Sequence, residues 1–498
     1  MKTNVRKMIV TSLALLLLAA ALAACSGGNG ESGTETRVLR IGMLYGGADN
    51  EPYFRQQFTD SYELMHPEIE FEITSAIDYS TMRYSASGEQ EEQPDPYEEM
   101  QKLLNGSNPV DVVVVDGAIL RKLVQDNMLK ELDPLIQQDD FDISDYVPTV
   151  IDGIKSLGDN RIFGLTPTFT SSALFYNKQI FQETGVQPPT DGMQWQDVIN
   201  LAQQVAKGEG ADRKFGLMLN RWGGDGFSDM QTFAAPLQLK MFDDNAEQML
   251  VNNDEWKRIW TTVTDLYRND ISPTSEEIYN YDGMGDQPMG PYSGDMFLSG
   301  RVAMVVADYY FLNEIRNAQN QAQNSEDYTM IEWDVVTVPE HPEAPGVGGN
   351  INLSQLMGIN AKAPNADDAW EFIKFLNGKE WAKLKSRSTY EMVAREEYLK
   401  PQAGMDYNIG AFTKMKPVLP TDSDMNELYM KYPYFYEAVY SPGQMLFQQV
   451  LSEEKSVDEA LAEWETQGNQ NLAQMKENPD QPLQNSDMAT SGGAIMVR

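Results

Sequence analysis

The chain has 498 residues, of which 75 are acidic and 38 are basic, and its formal net charge is −37. This length exceeds one ordinary hydrophobic core, so two or more domains are expected. A field of this sign repels phosphate backbones, which disfavours nucleic acid as a partner. Only two histidines and one cysteine occur, which disfavours a histidine-based triad or a zinc site, and we expect no metal and no cofactor.

The amino terminus has the three parts of a secretory signal peptide. Basic residues precede an apolar run, and small residues lead up to Cys25, the only cysteine in the chain. The run is short for a membrane span, which needs about 20 apolar residues. Leu22-Ala23-Ala24-Cys25 resembles a bacterial lipobox, whose cysteine is acylated and becomes the mature amino terminus. We therefore predict a lipoprotein signal peptide at 1–24 and a flexible tether at 25–37, with a chance cysteine beside a plain secretory signal as the alternative.

Strands and helices alternate in the next part of the chain. Val38–Leu44 predicts a strand and Phe54–Met65 a helix. Glu68–Ile77 predicts a second strand, because its apolar residues alternate with polar ones. Val110–Val115 is a β-branched run, broken only by Asp111, and is typical of a strand buried on both faces, and an amphipathic helix begins near Ile119. This alternation predicts an α/β sheet, in which ligands lie beyond the carboxyl ends of the strands.

Two residues come directly after predicted strands, where a ligand could bind. Tyr45 follows the first strand, and Asp116 follows the buried run. A purely structural role in the turn is the alternative for each. The stretch Ser85–Pro96 is polar, acidic and contains proline, so it is predicted to be an exposed loop before a helix near Tyr97.

The alternation continues in the second part of the chain. Further predicted strands are Lys214–Leu219, Val302–Val306, Trp333–Val338 and Leu356–Ile359. Further predicted helices are Gln196–Ala206, Glu255–Arg268 and a helix up to Asn377 that Asn365 is expected to cap. Tryptophans on predicted helices are expected in the core, namely Trp256, Trp260, Trp370, Trp381 and Trp464.

The loop Tyr279–Ser293 is rich in glycine, aspartate, tyrosine and proline. Asp282, Asp286 and Asp295 suggest a calcium site, but their spacing lacks the alternate-oxygen pattern of an EF-hand, so a solvated loop is the preferred interpretation. Helical blocks are predicted near the carboxyl terminus, followed by a polar tail, Asn469–Arg498, that is expected to fray.

Four motifs, in order, resemble those of the extracellular solute-binding proteins of ABC importers, in particular the maltose-binding-protein-like class. They are Phe163–Lys178, which ends in Tyr-Asn-Lys; Gly185–Trp195, with its Pro-Pro pair; Phe297–Met304, with Phe-Leu-Ser-Gly-Arg; and Ala369–Leu376, a helix. The resemblance covers most of residues 38–470. It implies an α/β, two-lobed periplasmic-binding-protein-like fold of type II, with an inter-lobe cleft and a hinge.

The resemblance also implies a division of the chain. Lobe one would comprise 38–170 and 351–392, lobe two 171–350 and 393–480, and 481–498 a disordered tail. The chain would cross between the lobes near Thr170–Ala173, Val338–Asn350 and Glu391–Arg395. The acidic loop, the long loop and the tail depart from the family pattern, so they leave the exact boundaries open.

Sugars offer an apolar ring face and a belt of hydroxyls, so their sites need aromatic surfaces and polar side chains. The resemblance suggests as ligand-binding positions Asp116, Thr170, Trp222, Tyr309, Tyr310, Asn350 and Tyr436. Tyr45 is a further candidate, because it follows a predicted strand. A packing or turn role is the alternative for each of them.

The implied function is that of a non-enzymatic receptor that captures a sugar or oligosaccharide and delivers it to ABC permease subunits. It would be a monomer, anchored through Cys25 to the cell membrane and facing outside the cytoplasm. One alternative keeps the fold and changes the solute to a peptide, a polyamine or a chelate, and a cationic solute would suit the acidity. A surface glycosidase with two carboxylates about 5–10 Å apart is a further alternative.

Overall fold

The computed structural model describes residues 36–82, 94–279, 292–324, 328–348, 351–387, 391–402, 404–418, 428–429, 431–479 and 481–483. The predicted signal peptide, Cys25, Asn350, Asp282 and Asp286 lie outside the described residues, as do most of the tether, of the acidic loop and of the tail after 480. Within the described ranges, no helix combines the length and the apolar character needed to cross a membrane.

The strands largely follow the hydrophobic patterns of the sequence. They are β1 (Arg37–Gly46), β2 (Ile69–Asp78), β3 (Val112–Val115), β4 (Gly164–Leu165), β5 (Thr168–Phe169), β6 (Ser172–Asn177), β7 (Phe215–Met218), β8 (Val302–Asp308), β9 (Trp333–Val336), β10 (Leu356–Ile359) and β11 (Met392–Val393). All four valines of β3 are buried, as the β-branched run predicts.

The helices between them are amphipathic or short. They are α1 (Glu51–Phe54), α2 (Asp60–Met65), α3 (Tyr79–Met82), α4 (Pro96–Asn105), α5 (Gly117–Gln125), α6 (Asp133–Gln138), α7 (Pro148–Leu157), α8 (Lys178–Thr184), α9 (Trp195–Val205), α10 (Gly226–Ala234), α11 (Asp254–Arg268), α12 (Ser275–Tyr279), α13 (Phe311–Asn324), α14 (Ala366–Leu376), α15 (Lys379–Lys385), α16 (Phe435–Leu451) and α17 (Val457–Glu477). A π-helical turn, Arg55–Thr59, joins α1 to α2.

Two sheets organise the chain. The first has the strand order β2-β1-β3-β10-β4, with β1 parallel to β2 and β3, and β10 antiparallel to β3 and β4. The second has the order β7-β8-β6-β9, with β6 antiparallel to both of its neighbours and β7 parallel to β8. The predicted α/β architecture is confirmed.

Short segments connect the two sheets. Strand β5 lies between β4 of the first sheet and β6 of the second, and it pairs antiparallel with β11. Beside it, Thr170 and Asn352 exchange backbone hydrogen bonds of 3.2 and 2.9 Å. The boundaries given above for the two lobes remain a prediction.

Two clusters of apolar side chains cover the sheets. One cluster includes the first sheet and extends to Phe175, Phe297 and Phe311 on one face of the second sheet. Another covers the opposite face of the second sheet with residues of α10, α11, α16 and α17. The five tryptophans expected in the core are all buried, which confirms that prediction.

Asn365 precedes α14 but does not cap it with its side chain. Its Nδ2 donates instead to the carbonyl of Val38 at 2.9 Å, and its backbone N–H donates to Oδ1 of Asp111 at 2.8 Å. The buried Asp111 also accepts from the backbone N–H of Arg40 at 3.0 Å. Asn365 therefore occupies the predicted N-cap position, but its side chain bonds to the first sheet rather than to its own helix.

The polar carboxyl-terminal region is ordered as far as Glu477, so the prediction of fraying from Asn469 is wrong for this part. Helix α17 buries Leu472 and Met475 against the second sheet's cluster. Helix α16 contains Pro442, which has no N–H for the carbonyl of Ala438 one turn earlier. Asn471 of α17 donates its Nδ2 to that carbonyl at 3.2 Å.

Candidate functional site

The ends of several strands in both sheets border the segments that connect the sheets. The end of β3 pairs with the start of β10 at Leu356, four residues after Asn352. At the end of β8, Asp308 pairs with Ser172, two residues after Thr170. Because Thr170 and Asn352 are bridged, both edges lie within a few residues of one connection between the sheets, and we call the region beside this connection the cleft. This is where a ligand is expected in α/β sheets.

On the first sheet, the structure brings Tyr45 and Asp116 together. The half-exposed ring of Tyr45 stacks on Tyr79, with centroids 5.7 Å apart and planes at 11°. Asp116 caps α5 by accepting from the backbone N–H of Ile119 at 2.9 Å. Burial, and then the nearby charge of Asp116, raise the pKa of the Tyr45 phenol. Sequence reasoning missed the exposed Tyr79, although it follows β2 directly, as a ligand-facing residue would.

On the second sheet, Trp222 lies in the loop between β7 and α10. Its side chain is 65% exposed, whereas the other seven tryptophans are at most 7% exposed. The loop is held by the backbone N–H of Trp222, which donates to Oδ1 of Asn220 at 2.9 Å, and Tyr279 Oη makes a long contact of 3.4 Å with the carbonyl of Trp222. Trp222 therefore presents an indole surface to solvent from an anchored backbone.

Arg221 fixes the indole from the protein side. Its guanidinium carbon lies 4.4 Å from the centroid of the Trp222 ring and 4.2 Å from that of Phe311. Its Nε and Nη2 donate to Oδ2 of Asp295 at 2.9 and 2.7 Å, and its Nη1 donates to Oε1 of Glu314 at 2.8 Å. This largely buried cation thus joins the Trp222 loop to Asp295 and to Glu314 of α13.

Asp295 therefore has a structural partner. It also accepts from the backbone N–H groups of Phe297 and Leu298 at 3.0 and 2.8 Å. Within the described ranges, no group of three or more His, Cys, Asp or Glu side chains could hold a metal ion. Asp282 and Asp286, the other two residues of the suggested calcium site, lie outside those ranges.

The two tyrosines after β8 differ in their exposure. Tyr310 is 41% exposed, and its hydroxyl donates to Oε1 of Glu391 at 3.4 Å. Burial and the neighbouring Glu391 charge raise the pKa of Tyr310 to about 12. Tyr309 is only 4% exposed, and its ring packs edge-on against Phe412 at 5.4 Å. Its ring is enclosed by protein and offers little surface for stacking in this conformation, so its role in binding stays a prediction.

The remaining predicted positions contribute less to the cleft. Thr170 is buried in the connecting segment, where its backbone forms the bridge to Asn352. Tyr436 is exposed on α16 and stacks on Tyr440, with centroids 5.5 Å apart, and none of its described contacts involves Trp222 or Tyr310. The role of Tyr436 stays a prediction.

Glu391 is a cleft residue that sequence reasoning missed. It is half-buried, directly before β11, and its Oε2 accepts from Thr168 Oγ1. No local motif distinguishes it from the other acidic residues of the chain, and its position at the predicted third crossing was the available signal. The cleft thus combines exposed rings with carboxylates, which can bind an apolar face and hydroxyl groups together.

The chain is similar to known proteins in sequence and in fold. A binding protein of Brucella abortus is 23% identical over 349 residues, covering 64% of this chain and 71% of its own. A sugar transporter of Rhizobium etli, solved in an open conformation, has a TM-score of 0.59 at 18% identity, covering 88% of this chain and 99% of that one. The sugar-binding protein MalE of Xanthomonas citri has a TM-score of 0.58 at 16% identity, covering 90% and 100%.

The fold of this chain is therefore that of two-lobed binding proteins. The sequence match is wider than the four motifs: residues 49–383 fit the family described as bacterial extracellular solute-binding protein. That range includes the second sheet, all of the first sheet except β1, and the exposed rings of Tyr79, Trp222 and Tyr310. The chain belongs to the bacterial extracellular solute-binding protein family.

Proposed function

We propose that this protein is the receptor of an ABC importer and captures a sugar or oligosaccharide for its permease. As a member of a solute-binding family, it is a transport component and not an enzyme. The cleft holds the solute between the two sheets, and closure about the connecting segments buries it.

One observation carries the choice of solute. The exposed aromatic side chains at the strand ends occur on both sides of the cleft, with Tyr45 and Tyr79 on one side and Trp222 and Tyr310 on the other. Each side also has a carboxylate beside its rings, Asp116 or Glu391. Rings that bind apolar faces, next to acceptors for hydroxyl groups, suit a sugar held from both sides.

The proteins of similar fold support the same choice. The Rhizobium etli protein is described as a sugar transporter and the Xanthomonas citri protein as a sugar-binding protein. The acidic side chains of the cleft favour a cationic solute as the second candidate. The positive charge of Arg221 at the edge of the cleft does not oppose this, because Arg221 is already paired with Asp295 and Glu314. Binding that weakens steeply with added salt would favour that candidate.

We also propose that Cys25 anchors the receptor to the outer face of the cell membrane as an acylated amino terminus. The lipobox-like segment before it supports this proposal. The residues between Cys25 and β1 would then form a tether that keeps the cleft near the permease.

Titration calorimetry with a panel of neutral mono-, di- and trisaccharides tests the proposal. Trp222 supplies a second signal, because it is the exposed tryptophan among eight. A bound sugar should protect its fluorescence from quenching by acrylamide, and the variant Trp222→Phe should lose this protection and bind more weakly. Absence of binding across the panel, or turnover of a sugar, would contradict the proposal.

A further inference from the structure

We propose that Glu391 binds the sugar by accepting hydrogen bonds from its hydroxyls, and that Thr168 holds the carboxylate in position. This inference rests on the proposed function, because it assigns a specificity-determining residue to the same cleft. Sequence reasoning did not include either residue in the site.

The position of Glu391 is defined by its neighbours. It immediately precedes β11, whose Met392 pairs with Phe169 of β5. Its carboxylate accepts from Thr168 of β5 on one oxygen and from Tyr310, beyond the end of β8, on the other. Glu391 therefore lies where a connecting segment meets the edge of the second sheet, at the base of the cleft.

Its carboxylate has acceptor capacity that the protein leaves unused. A carboxylate offers about four lone-pair sites. The bond from Tyr310 is 3.4 Å long, well beyond the usual range for O–H···O bonds. No lysine or arginine of the described residues forms an ion pair with Glu391. A half-buried carboxylate without a cation is stabilised by further donors, and a ligand in the cleft can supply them.

The surroundings indicate which donors fit. Tyr310 presents a partly exposed ring next to the carboxylate, so an apolar surface and an acceptor stand side by side. A pyranose that stacks on this ring directs its equatorial hydroxyls outward, toward the Glu391 oxygens. Thr168 is buried and donates to Oε2, which leaves Oε1 for the ligand once the long Tyr310 bond is displaced.

Two variants and a control test the assignment by calorimetry, first with maltose, maltotriose, cellobiose and trehalose. Glu391→Gln keeps the shape of the side chain but loses its charge, and we expect about a 10- to 100-fold loss of affinity. Thr168→Val should cause a smaller loss. Glu396→Gln, an exposed carboxylate of the same segment, should bind like the wild type.

A matched set of monodeoxy sugars separates ligand contact from a structural role. In the wild type, removing the hydroxyl that Glu391 binds should weaken affinity, whereas the same removal should have little effect in Glu391→Gln. Equal effects in both proteins, or a Glu391→Gln variant that binds within twofold of the wild type, would overturn the inference and leave the proposed function intact. A wild type that binds no sugar would overturn both.

Discussion

The guanidinium of Arg221 and the indole of Trp222 are in cation–π contact at 4.4 Å, and the cation is held there by Asp295 and Glu314. The most exposed tryptophan of the chain is thus supported by one of its more buried arginines. A ring fixed in this way loses little conformational freedom when a ligand stacks on it, which favours tight binding.

Replacing this cation should therefore affect both stability and binding. In Arg221→Met, the largely buried Asp295 loses its partner, and we expect the free energy of unfolding to fall by about 3 kcal/mol. Trp222 should become more accessible to acrylamide, and sugar affinity should fall about tenfold. Arg258→Met is the matched control, because the exposed pair of Arg258 with Glu343 contributes at most about 1 kcal/mol. An unchanged Trp222 signal in Arg221→Met would contradict the role of Arg221.

A buried carboxylate on α10, the helix that follows the Trp222 loop, should make stability depend on pH. Tyr267 Oη donates to Oδ2 of Asp229 at 2.6 Å, and burial raises the pKa of Asp229 to about 7. Because the folded pKa exceeds the unfolded value of about 3.9, this group contributes stability below about pH 4. That contribution is lost as the pH rises through about 7.

Denaturant unfolding between pH 4 and pH 8 measures this effect. The free energy of unfolding of the wild type, relative to Asp229→Asn, should fall by on the order of 1.4 kcal/mol per pH unit until about pH 7. Asp265→Asn, which changes an exposed carboxylate on α11, should follow the wild type at every pH. A constant difference between wild type and Asp229→Asn would show that Asp229 does not titrate in this window.

The carboxyl-terminal helix should be essential for the second sheet's core. Leu472 is fully buried, so Leu472→Ala should lower the free energy of unfolding by about 2–5 kcal/mol. Gln470→Ala, an exposed change on the same helix, should have almost no effect. Chemical denaturation compares the two variants, and equal stabilities would mean that α17 adds little to the core.

The anchor proposal predicts a separation between location and binding. Cys25→Ser should move the protein from the membrane fraction to the soluble extracellular fraction, because the acylated thiol is lost. Its sugar affinity should stay unchanged, since Cys25 precedes β1 and every residue assigned to the cleft. Cell fractionation and mass spectrometry of the mature amino terminus provide the measurements, and a variant that stays in the membrane fraction would contradict acylation at Cys25.

Much of the fold follows from local patterns. The run at Val110–Val115 predicts β3, because a strand buried on both faces is apolar at nearly every position. The alternation in Glu68–Ile77 predicts β2, because a strand buried on one face is apolar at every second position. The tryptophans on amphipathic helices are buried for the same reason. Among the predicted ligand-binding positions, Asp116 directly follows β3 and Tyr310 lies just beyond β8, whereas Tyr45, predicted to follow the first strand, lies within β1, one residue before its end. Their role in binding stays a prediction.

The missed features depend on distant partners. Glu391 belongs to the cleft because of Thr168 and Tyr310, which are far from it in sequence. Tyr309 and Tyr310 are neighbours of the same type, and only packing against Phe412 distinguishes the buried one. Asn365 is a residue type that commonly caps helices, but its side-chain Nδ2 donates to the carbonyl of Val38 instead. Local sequence does not contain these contacts.

Pro442 has a consequence for a segment that comes well after it. Asn471 supplies, from another helix, the donor that the proline nitrogen lacks, so its amide replaces one missing bond of the α16 backbone. The residues after Gln467 have the polar composition of a linker. One of them, Asn471, nevertheless supplies the bond that the α16 backbone lacks because of Pro442, which lies 29 positions earlier. The two residues act as a complementary pair, so Asn471→Leu should be far better tolerated in a protein that also carries Pro442→Ala.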